Sequence, residues 1–138
     1  KPIAVIFNLG VNDLGNAGNY VSYMTSIAST LKSKNCKLFY MSVNPVNSTM
    51  ITKTGRGART EAQVREFNSK IRSGLSLDYK YIDMYSVLMK KGYGTNASYN
   101  GTDADSDDGL HYTTKTFKRI YYYCITYLNT GSINASYY

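Results

Sequence analysis

Apolar runs with the character of strands alternate with segments of helical periodicity along this 138-residue chain. "IAVIF", residues 3–7, and "KLFYMSV", residues 37–43, are continuous apolar runs, typical of parallel strands that are buried on both faces. "YKYIDM", residues 79–84, alternates more and predicts an edge strand with one exposed face. Because each strand is followed by a helical segment, the pattern predicts an α/β fold with a parallel sheet and right-handed crossovers.

Helix signals lie between and after these strands. The first helix is expected from Asn19, which we interpret as its N-cap, and the second follows the capping-box pair Thr60 and Gln63. Residues 47–59 and 91–108 are polar and predict loops. The last helix has the strongest periodicity, with one apolar stripe made of Phe117, Ile120, Tyr121, Cys124, Ile125 and Leu128.

The first strand indicates that the sheet continues beyond this chain. In sequential strand order, residues 3–7 would form an apolar edge strand with unpaired backbone groups, which proteins normally protect. We therefore expect residues 1–138 to be the C-terminal part of a single α/β domain that is incomplete at its N-terminus. An upstream fragment, or a second copy pairing through residues 3–7, would cover the strand. Residues 129–138 are expected to form a frayed tail.

The composition argues against several classes of function. The net charge of +7 comes from scattered lysines and arginines without a basic-aromatic motif, so we expect a solvated basic surface rather than nucleic-acid binding. No apolar run approaches the roughly 20 residues of a membrane span. Two cysteines, Cys36 and Cys124, and one histidine supply neither a disulfide framework nor a zinc site, and we expect no cofactor. Fifteen tyrosines without tryptophan resemble secreted bacterial proteins, which favours a secreted or cell-surface location.

Two short loops contain the residues that could take part in catalysis. "GVND", residues 10–13, follows the first strand, and "DGLH", residues 108–111, precedes the last helix. In open parallel sheets, ligands bind at the carboxyl ends of the strands. His111 is the chain's one histidine and can act as a base, while Asp108 can accept the N–H of its other ring nitrogen. Asn12 can direct its amide N–H at a developing oxyanion.

The other residues of these loops have supporting roles, and each candidate also has an ordinary structural interpretation. Gly10 would allow close approach of the backbone after the strand, and Asp13 would brace the loop or cap local N–H groups. In the structural interpretation, Asp108 caps a turn, His111 is an exposed polar residue before a helix, and Asn12 forms an Asx-turn.

The paired motifs resemble the SGNH (GDSL-type) hydrolases. The G-x-N-D block of that family matches "GVND", its D-x-x-H block matches "DGLH", and their order and separation fit over essentially the whole chain. The resemblance implies a flavodoxin-like three-layer αβα fold and a Ser-His-Asp triad that cleaves esters of lipids, acetylated sugars and related substrates. It makes His111 the base, Asp108 its orienting carboxylate and Asn12 an oxyanion donor, with Gly10 and Asp13 in the same loop.

The chain departs from the family at the nucleophile. The family's Gly-Asp-Ser block and its second-block glycine have no counterpart here. Ser106 follows an acidic loop rather than a strand and lies too near His111 in sequence to be its partner. We therefore expect the serine upstream of Lys1, and we expect this chain alone to be inactive as an esterase.

A second interpretation is a non-catalytic carbohydrate or cell-wall binding module on the same fold. The many tyrosines and the asparagine-rich loops would then line a sugar site. A flavodoxin-like binder of a cofactor or phosphate is disfavoured, because no glycine-rich phosphate loop follows the first strand.

Overall fold

The computed structural model describes residues 3–75, 79–94 and 108–137. The strands and helices of this part of the chain are β1 (Ala4–Phe7), α1 (Ala17–Ser33), β2 (Lys37–Met41), α2 (Ser48–Lys53), α3 (Glu61–Gly74), β3 (Tyr79–Ile82), α4 (Met84–Lys90), α5 (Thr114–Thr130) and a 3-10 turn (Ala135–Tyr137). The chain divides into two compact units: Lys1–Val43 with Ala62–Asp83, called here the sheet unit, and Asn44–Glu61 with Met84–Tyr138, called the C-terminal unit.

The sheet unit is built on a parallel sheet in the order β1-β2-β3. Val5 pairs with Leu38, and Leu38 pairs with Tyr79, so the three strands run in step. The parallel-sheet α/β class predicted from the sequence is confirmed, and these strands and helices fit a small three-layer α/β fold. The predicted strand positions are also correct, although each strand is shorter than its apolar run.

The helices of the sheet unit pack on the sheet and on each other. The Tyr20 ring of α1 contacts the Phe67 ring of α3 edge-on, with 5.4 Å between centroids. The guanidinium of Arg72, also in α3, lies 5.5 Å from the Tyr81 ring centroid of β3. In a parallel sheet with sequential strand order, the usual right-handed crossovers put successive connecting helices on one face, and these contacts agree with that rule.

Strand β1 differs from the expectation of a strand buried on both faces. All four of its residues are half-buried, and Ile3, just before it, is 82% exposed. Among the described strands β1 pairs with β2 alone, so it lies at an edge of the described sheet. A strand beyond this chain that pairs with β1 stays a prediction.

In the C-terminal unit, helix α5 buries a different face from the predicted stripe. Thr116, Ile120, Tyr123 and Cys124 are its buried residues. Ile120 and Cys124 belong to the predicted stripe, but Phe117 and Tyr121 are more than half exposed, and Ile125 and Leu128 are 36% and 40% exposed. Because the apolar residues of α5 cover more than one face, periodicity locates the helix without fixing which face packs.

Helix α2 occupies a segment predicted to be a loop. The Asn47 side chain accepts the backbone N–H of Met50 at 3.1 Å and so caps the helix, and Ile51 is fully buried. The serine, threonines and isoleucine of this stretch have modest helix propensity, so capping and burial rather than composition stabilise it. None of the described helices is long and apolar enough to cross a membrane.

Candidate active site

Asp108 and His111 form a hydrogen-bonded pair in the C-terminal unit. His111 Nδ1 lies 2.7 Å from Asp108 Oδ2, and the backbone N–H groups of Leu110 and His111 donate to Oδ1 at 2.9 and 2.7 Å. The Asp108 side chain is 8% exposed, whereas that of His111 is 63% exposed. When Nδ1 carries the proton and its N–H hydrogen-bonds to Asp108, the other ring nitrogen has the lone pair that can accept a proton.

The same contacts keep Asp108 ionised. Burial favours the neutral acid, but the backbone and ring hydrogen bonds of His111, together with the N–H of Leu110, outweigh it and lower the pKa of Asp108 from 3.8 to about 2. A carboxylate that is ionised at neutral pH fixes the imidazole orientation and stabilises the imidazolium that forms when His111 takes a proton.

Gly109 seats this loop against the start of α2. Its carbonyl accepts the backbone N–H of Asn47 at 2.9 Å, and its φ is +85°. A Cβ placed on Gly109 would lie 2.6 Å from the carbonyl oxygen of Asn47 and 2.8 Å from Met50 Cβ. The glycine inside "DGLH" is therefore required both by its backbone conformation and by the close approach of α2.

Two further contacts hold the chain on either side of the Asp108–His111 pair. The Thr54 hydroxyl lies 3.2 Å from the Asp108 carbonyl as well as 2.9 Å from the Met50 carbonyl, and the Tyr112 hydroxyl donates to the Pro45 carbonyl at 2.6 Å. Tyr112 is buried, so its hydroxyl needs such a partner. The segment around α2, which sequence reasoning treated as a loop, is thus the support of the histidine loop.

Arg56 is a site residue that the sequence analysis missed. Its Nε lies 3.1 Å from Asp108 Oδ2, the oxygen that also contacts His111, and its side chain is 58% exposed. It lies between two glycines with positive φ, Gly55 and Gly57. The Gly-Arg-Gly pattern indicates a turn, but nothing in it indicates a carboxylate 52 residues away in sequence.

The "GVND" loop belongs to the sheet unit and forms a tight turn. The N–H of Asp13 donates to the Gly10 carbonyl at 2.8 Å, which places Val11 and Asn12 at the centre of the turn. Gly10 has a φ of +121°, and a Cβ there would lie 2.5 Å from two ring atoms of Phe67. The close backbone approach expected at Gly10 is therefore present.

Asp13 braces this turn, while Asn12 is exposed. The Tyr20 hydroxyl donates to Asp13 Oδ2 at 3.0 Å and ties the loop to α1. At the end of β1, the Asn8 side chain donates to the Ser42 carbonyl at 2.8 Å, a link to the end of β2 that sequence reasoning did not identify. These bonds fix the backbone around Asn12 and do not by themselves direct its amide.

A cavity of about 380 Å³ adjoins the same loop within the sheet unit. Tyr20 and Tyr23 supply aromatic surface to its lining, and Asp13, Asn16 and Asn19 supply carboxylate and amide groups. Tyr23 is 66% exposed. An accessible aromatic ring beside amides is a surface on which a sugar ring can stack and form hydrogen bonds.

Of the predicted site residues, the structure brings Asp108 and His111 into direct contact, and it places Gly10, Asn12 and Asp13 together in one turn of the other unit. Ser106 lies outside the described residues. Cys36 and Cys124 are free, buried thiols, and burial raises the pKa of Cys124. Within residues 3–75, 79–94 and 108–137, no group of histidine, cysteine and acidic side chains could hold a metal ion.

Comparison with known proteins adds no relative to these observations. No family model, no curated protein and no solved structure matches the chain. The resemblance to the SGNH hydrolases therefore stays a prediction from the two sequence motifs.

Proposed function

We propose that this chain carries the base, its orienting carboxylate and an oxyanion donor of a serine-type ester hydrolase of the SGNH class. His111 is the base, Asp108 its partner and Asn12 the oxyanion donor, while Gly10 and Asp13 shape the loop that presents Asn12. In this proposal the serine belongs to a Gly-Asp-Ser segment upstream of this chain. The substrates are acyl or acetyl esters of carbohydrates or lipids, outside the cell or at its surface.

The 2.7 Å contact between His111 Nδ1 and a buried, ionised Asp108 carries the proposal. The two backbone N–H bonds to Asp108 Oδ1 also fit the interpretation in which Asp108 caps a turn, so the proposal rests on the ring contact at Oδ2 and on the buried charge. The exposed imidazole remains accessible to a nucleophile and a substrate. The arrangement supports a base whose orientation is set before substrate binds.

The proposed chemistry proceeds by acyl transfer. His111 takes the proton of the serine hydroxyl as its oxygen attacks the ester carbonyl carbon, and Asn12 donates to the resulting oxyanion. His111 then returns the proton to the departing alcohol as the C–O bond breaks. Water, activated by the same imidazole, hydrolyses the acyl-enzyme and releases the acid.

The experiment measures hydrolysis of p-nitrophenyl acetate and an acetylated xylan by the natural protein that contains this chain. His111→Ala should lower kcat by at least about 10³-fold, and Asn12→Ala by about 10²–10³-fold. Asn129→Ala, which changes an exposed residue at the end of α5, is the control and should keep full activity. A His111→Ala protein that keeps the wild-type kcat would refute the proposal.

This chain by itself provides a second, simpler test. We expect no His111-dependent release of p-nitrophenol, because a base and an oxyanion donor cannot replace the nucleophile. Nitrogen-15 chemical shifts should nevertheless show neutral His111 as the Nδ1–H tautomer, and Asp108→Asn should change the tautomer ratio. A dominant Nε2–H tautomer in the unmutated chain would contradict the assigned role of His111.

The edge of β1 is, in the same proposal, the place where an upstream strand or a second copy pairs. The exposed Ile3 and the pairing of β1 with β2 alone among the described strands support this assignment. Sedimentation and intact-mass measurements distinguish a dimer from a retained fragment, and Val5→Lys should prevent either association. A well-folded monomer of this chain that carries no fragment would contradict it.

A carbohydrate-binding module is the second candidate, and the cavity beside Tyr23 favours it. Here the same surface binds a sugar without cleaving an ester. Titration with an N-acetylglucosamine tetramer, followed by amide shifts, should perturb Asn16, Asn19 and Tyr23, and Tyr23→Ala should abolish the response. Tyr121→Ala is the matched control, since Tyr121 is similarly exposed on α5. Binding without hydrolysis by the natural protein would favour this candidate over the esterase.

A further inference from the structure

Asp13 has a carboxylate oxygen that its bond to Tyr20 does not use. The Tyr20 hydroxyl donates to Oδ2 at 3.0 Å, and among the described residues no group donates to Oδ1. Asp13 also lines the cavity of about 380 Å³ beside the "GVND" loop. We infer that Asp13 is a specificity residue of the esterase and that this cavity binds the sugar ring of a carbohydrate ester. The inference rests on the proposed function and narrows its substrates from lipid and carbohydrate esters to carbohydrate esters.

The cavity lies between one side of α1 and the loop that follows β1. Its lining residues from α1 and the helix N-cap recur at intervals of three and four positions, which places them on one side of the helix: Asn16, Asn19, Tyr20, Tyr23 and Met24. Two bonds hold the loop against this side, the one from Tyr20 to Asp13 and one from the N–H of Asn16 to the Asp13 carbonyl at 2.8 Å. The helix and the loop therefore line the same space.

Two amide side chains in this lining have hydrogen-bonding groups that the fold does not use. Asn16 is the N-cap residue of α1, yet its side chain makes no capping bond, although an asparagine at this position normally accepts a backbone N–H of the first turn. Asn19 is exposed, and no described residue forms a hydrogen bond with its side chain. With Asp13 they offer one carboxylate acceptor and two amides that both donate and accept, which suits the hydroxyl groups of a sugar.

The rest of the lining favours a sugar ring over an alkyl chain. Tyr23 is 66% exposed and offers a flat aromatic surface on which the C–H face of a pyranose can lie while its hydroxyls bond to the polar side chains. An alkyl chain in the same place would remove water from the carboxylate and the amides without replacing its hydrogen bonds, which is unfavourable. Because Asp13 directly follows Asn12 in the turn, a sugar bound to Asp13 lies next to the proposed oxyanion donor.

The experiment compares two acetyl esters in the natural protein that contains this chain. Mono-O-acetylated methyl β-xylopyranosides have free ring hydroxyls, whereas cyclohexyl acetate has a six-membered ring without any. The quantity measured is the ratio of kcat/KM for the xylosides to kcat/KM for cyclohexyl acetate. Asp13→Ala should lower this ratio about 10–100-fold, because the bond between the carboxylate and a hydroxyl is lost for one of the two esters alone.

Tyr20→Phe separates specificity from support of the loop. It removes the hydroxyl that holds Asp13 and keeps the carboxylate, so any loss of activity should affect both esters equally and leave the ratio nearly unchanged. Asp13→Asn is the variant to use if Asp13→Ala does not fold, since its amide oxygen can still accept the Tyr20 hydroxyl. It should lower the ratio several-fold, because a neutral acceptor bonds a hydroxyl more weakly. An unchanged ratio in the Asp13 variants, or an equal fall in Tyr20→Phe, would overturn the inference.

Failure of the proposed function would give a different result. A wild-type protein that hydrolyses neither ester would refute the esterase and the specificity role with it, whereas hydrolysis of both esters with a ratio independent of Asp13 would refute the specificity role alone. Binding to this chain is a measurement that needs no hydrolysis. Methyl β-xylopyranoside should shift the side-chain amide signals of Asn16 and Asn19 in a saturable way, and cyclohexanol should not. Equal shifts with the two compounds, or none with the xyloside, would overturn the inference even for an active esterase.

Discussion

The histidine loop, residues 108–111, and the "GVND" loop, residues 10–13, contribute equally to the sequence resemblance but are built differently. In the histidine loop, hydrogen bonds hold the candidate side chains themselves: both oxygens of Asp108 and one ring nitrogen of His111 have partners. In the "GVND" loop, hydrogen bonds of 2.8 and 3.0 Å join Asp13 to Gly10 and to Tyr20, and Asn12 lies exposed at the centre of the turn. The comparison shows that two motifs of similar strength in sequence can differ in burial, since one contains a buried carboxylate and the other presents an exposed amide.

Both loops contain a glycine with positive φ that lets the backbone approach a neighbouring group closely. The group next to Gly109 and the group next to Gly10 differ in how easily they can move. A Cβ on Gly109 would meet the backbone carbonyl of Asn47, whereas a Cβ on Gly10 would meet the far edge of the Phe67 ring. A ring can tilt, but a backbone hydrogen-bonded at the start of a helix cannot shift without breaking those bonds. The histidine loop should therefore tolerate a side chain less well.

The largest effect is expected for Gly109→Ala. The change combines a φ of +85° with a 2.6 Å approach to the Asn47 carbonyl, and it should lower the free energy of unfolding by about 3–4 kcal/mol. It should also weaken the Asn47 N–H bond to residue 109 and free Asp108 and His111 from their alignment. Urea unfolding and amide hydrogen exchange at Asn47 measure both effects.

Gly18→Ala is the matched control for this change. A Cβ at Gly18, inside α1, would meet nothing within 4 Å, so alanine should stabilise the helix by about 0.5–1 kcal/mol. If Gly109→Ala were as benign as Gly18→Ala, the histidine loop would not be seated against α2 as described.

Gly10→Ala should have the next largest effect, about 2–3 kcal/mol. Its φ of +121° is unfavourable for alanine, but part of the clash with Phe67 can be relieved by movement of the ring. Combining Gly10→Ala with Phe67→Leu should recover part of the loss, because the shorter side chain leaves room for the new methyl group. A double variant no more stable than the sum of the single changes would show that backbone conformation, rather than contact with Phe67, sets the cost.

The fold was predictable from sequence where apolar runs determined it. The strands at residues 4–7, 37–41 and 79–82 and the helices α3 and α5 lie where the runs and periodicities place them. Helix α1 was also predicted, but it begins at Ala17 with Asn16 as its N-cap residue, so the prediction of Asn19 as the N-cap is wrong. The short helices α2 and α4 were not predicted, because each is too short to show periodicity and depends on tertiary contacts for its stability. The buried face of α5 could not be predicted from the sequence either, since apolar residues lie on several sides of the helix.

The candidate site was predictable in its local part alone. Asp108 and His111 are three residues apart, so their contact follows from the chain itself, and the glycine between them indicated a turn. The contacts of this loop with Asn47, Thr54 and Arg56 join residues more than 50 positions apart. Such contacts require knowledge of the packing of α2, and no local pattern reports it.

The third prediction concerns acid, and it tests whether the Asp108 contacts stabilise the folded chain. Because the pKa of Asp108 is lowered from 3.8 to about 2, its contribution is present above about pH 4 and is lost as the pH falls toward 2. A shift of this size corresponds to about 2 kcal/mol. Asp108→Asn should remove this part of the acid dependence of urea unfolding, while Asp13→Asn should retain it. Identical acid dependence in the two variants would contradict the difference drawn between the loops.

The smallest effect is expected for Arg56→Gln, which removes the ion pair with Asp108 and leaves the contact between Asp108 and His111 in place. The Arg56 side chain is 58% exposed, so its attraction to Asp108 is screened by water and should contribute at most about 1 kcal/mol.

Salt should weaken this contribution further. The difference in unfolding free energy between wild type and Arg56→Gln should therefore shrink between 0.02 and 0.5 M sodium chloride, since the screening length falls roughly fourfold or more over this range. Arg59→Gln is the control for the loss of one positive charge, since the Arg59 guanidinium donates to the Arg56 carbonyl at 2.6 Å. The Nδ1–H tautomer of His111 should survive Arg56→Gln, because the bonds of Leu110 and His111 to Asp108 Oδ1 remain. Loss of that tautomer would mean that Arg56, and not the turn of the loop itself, positions the carboxylate.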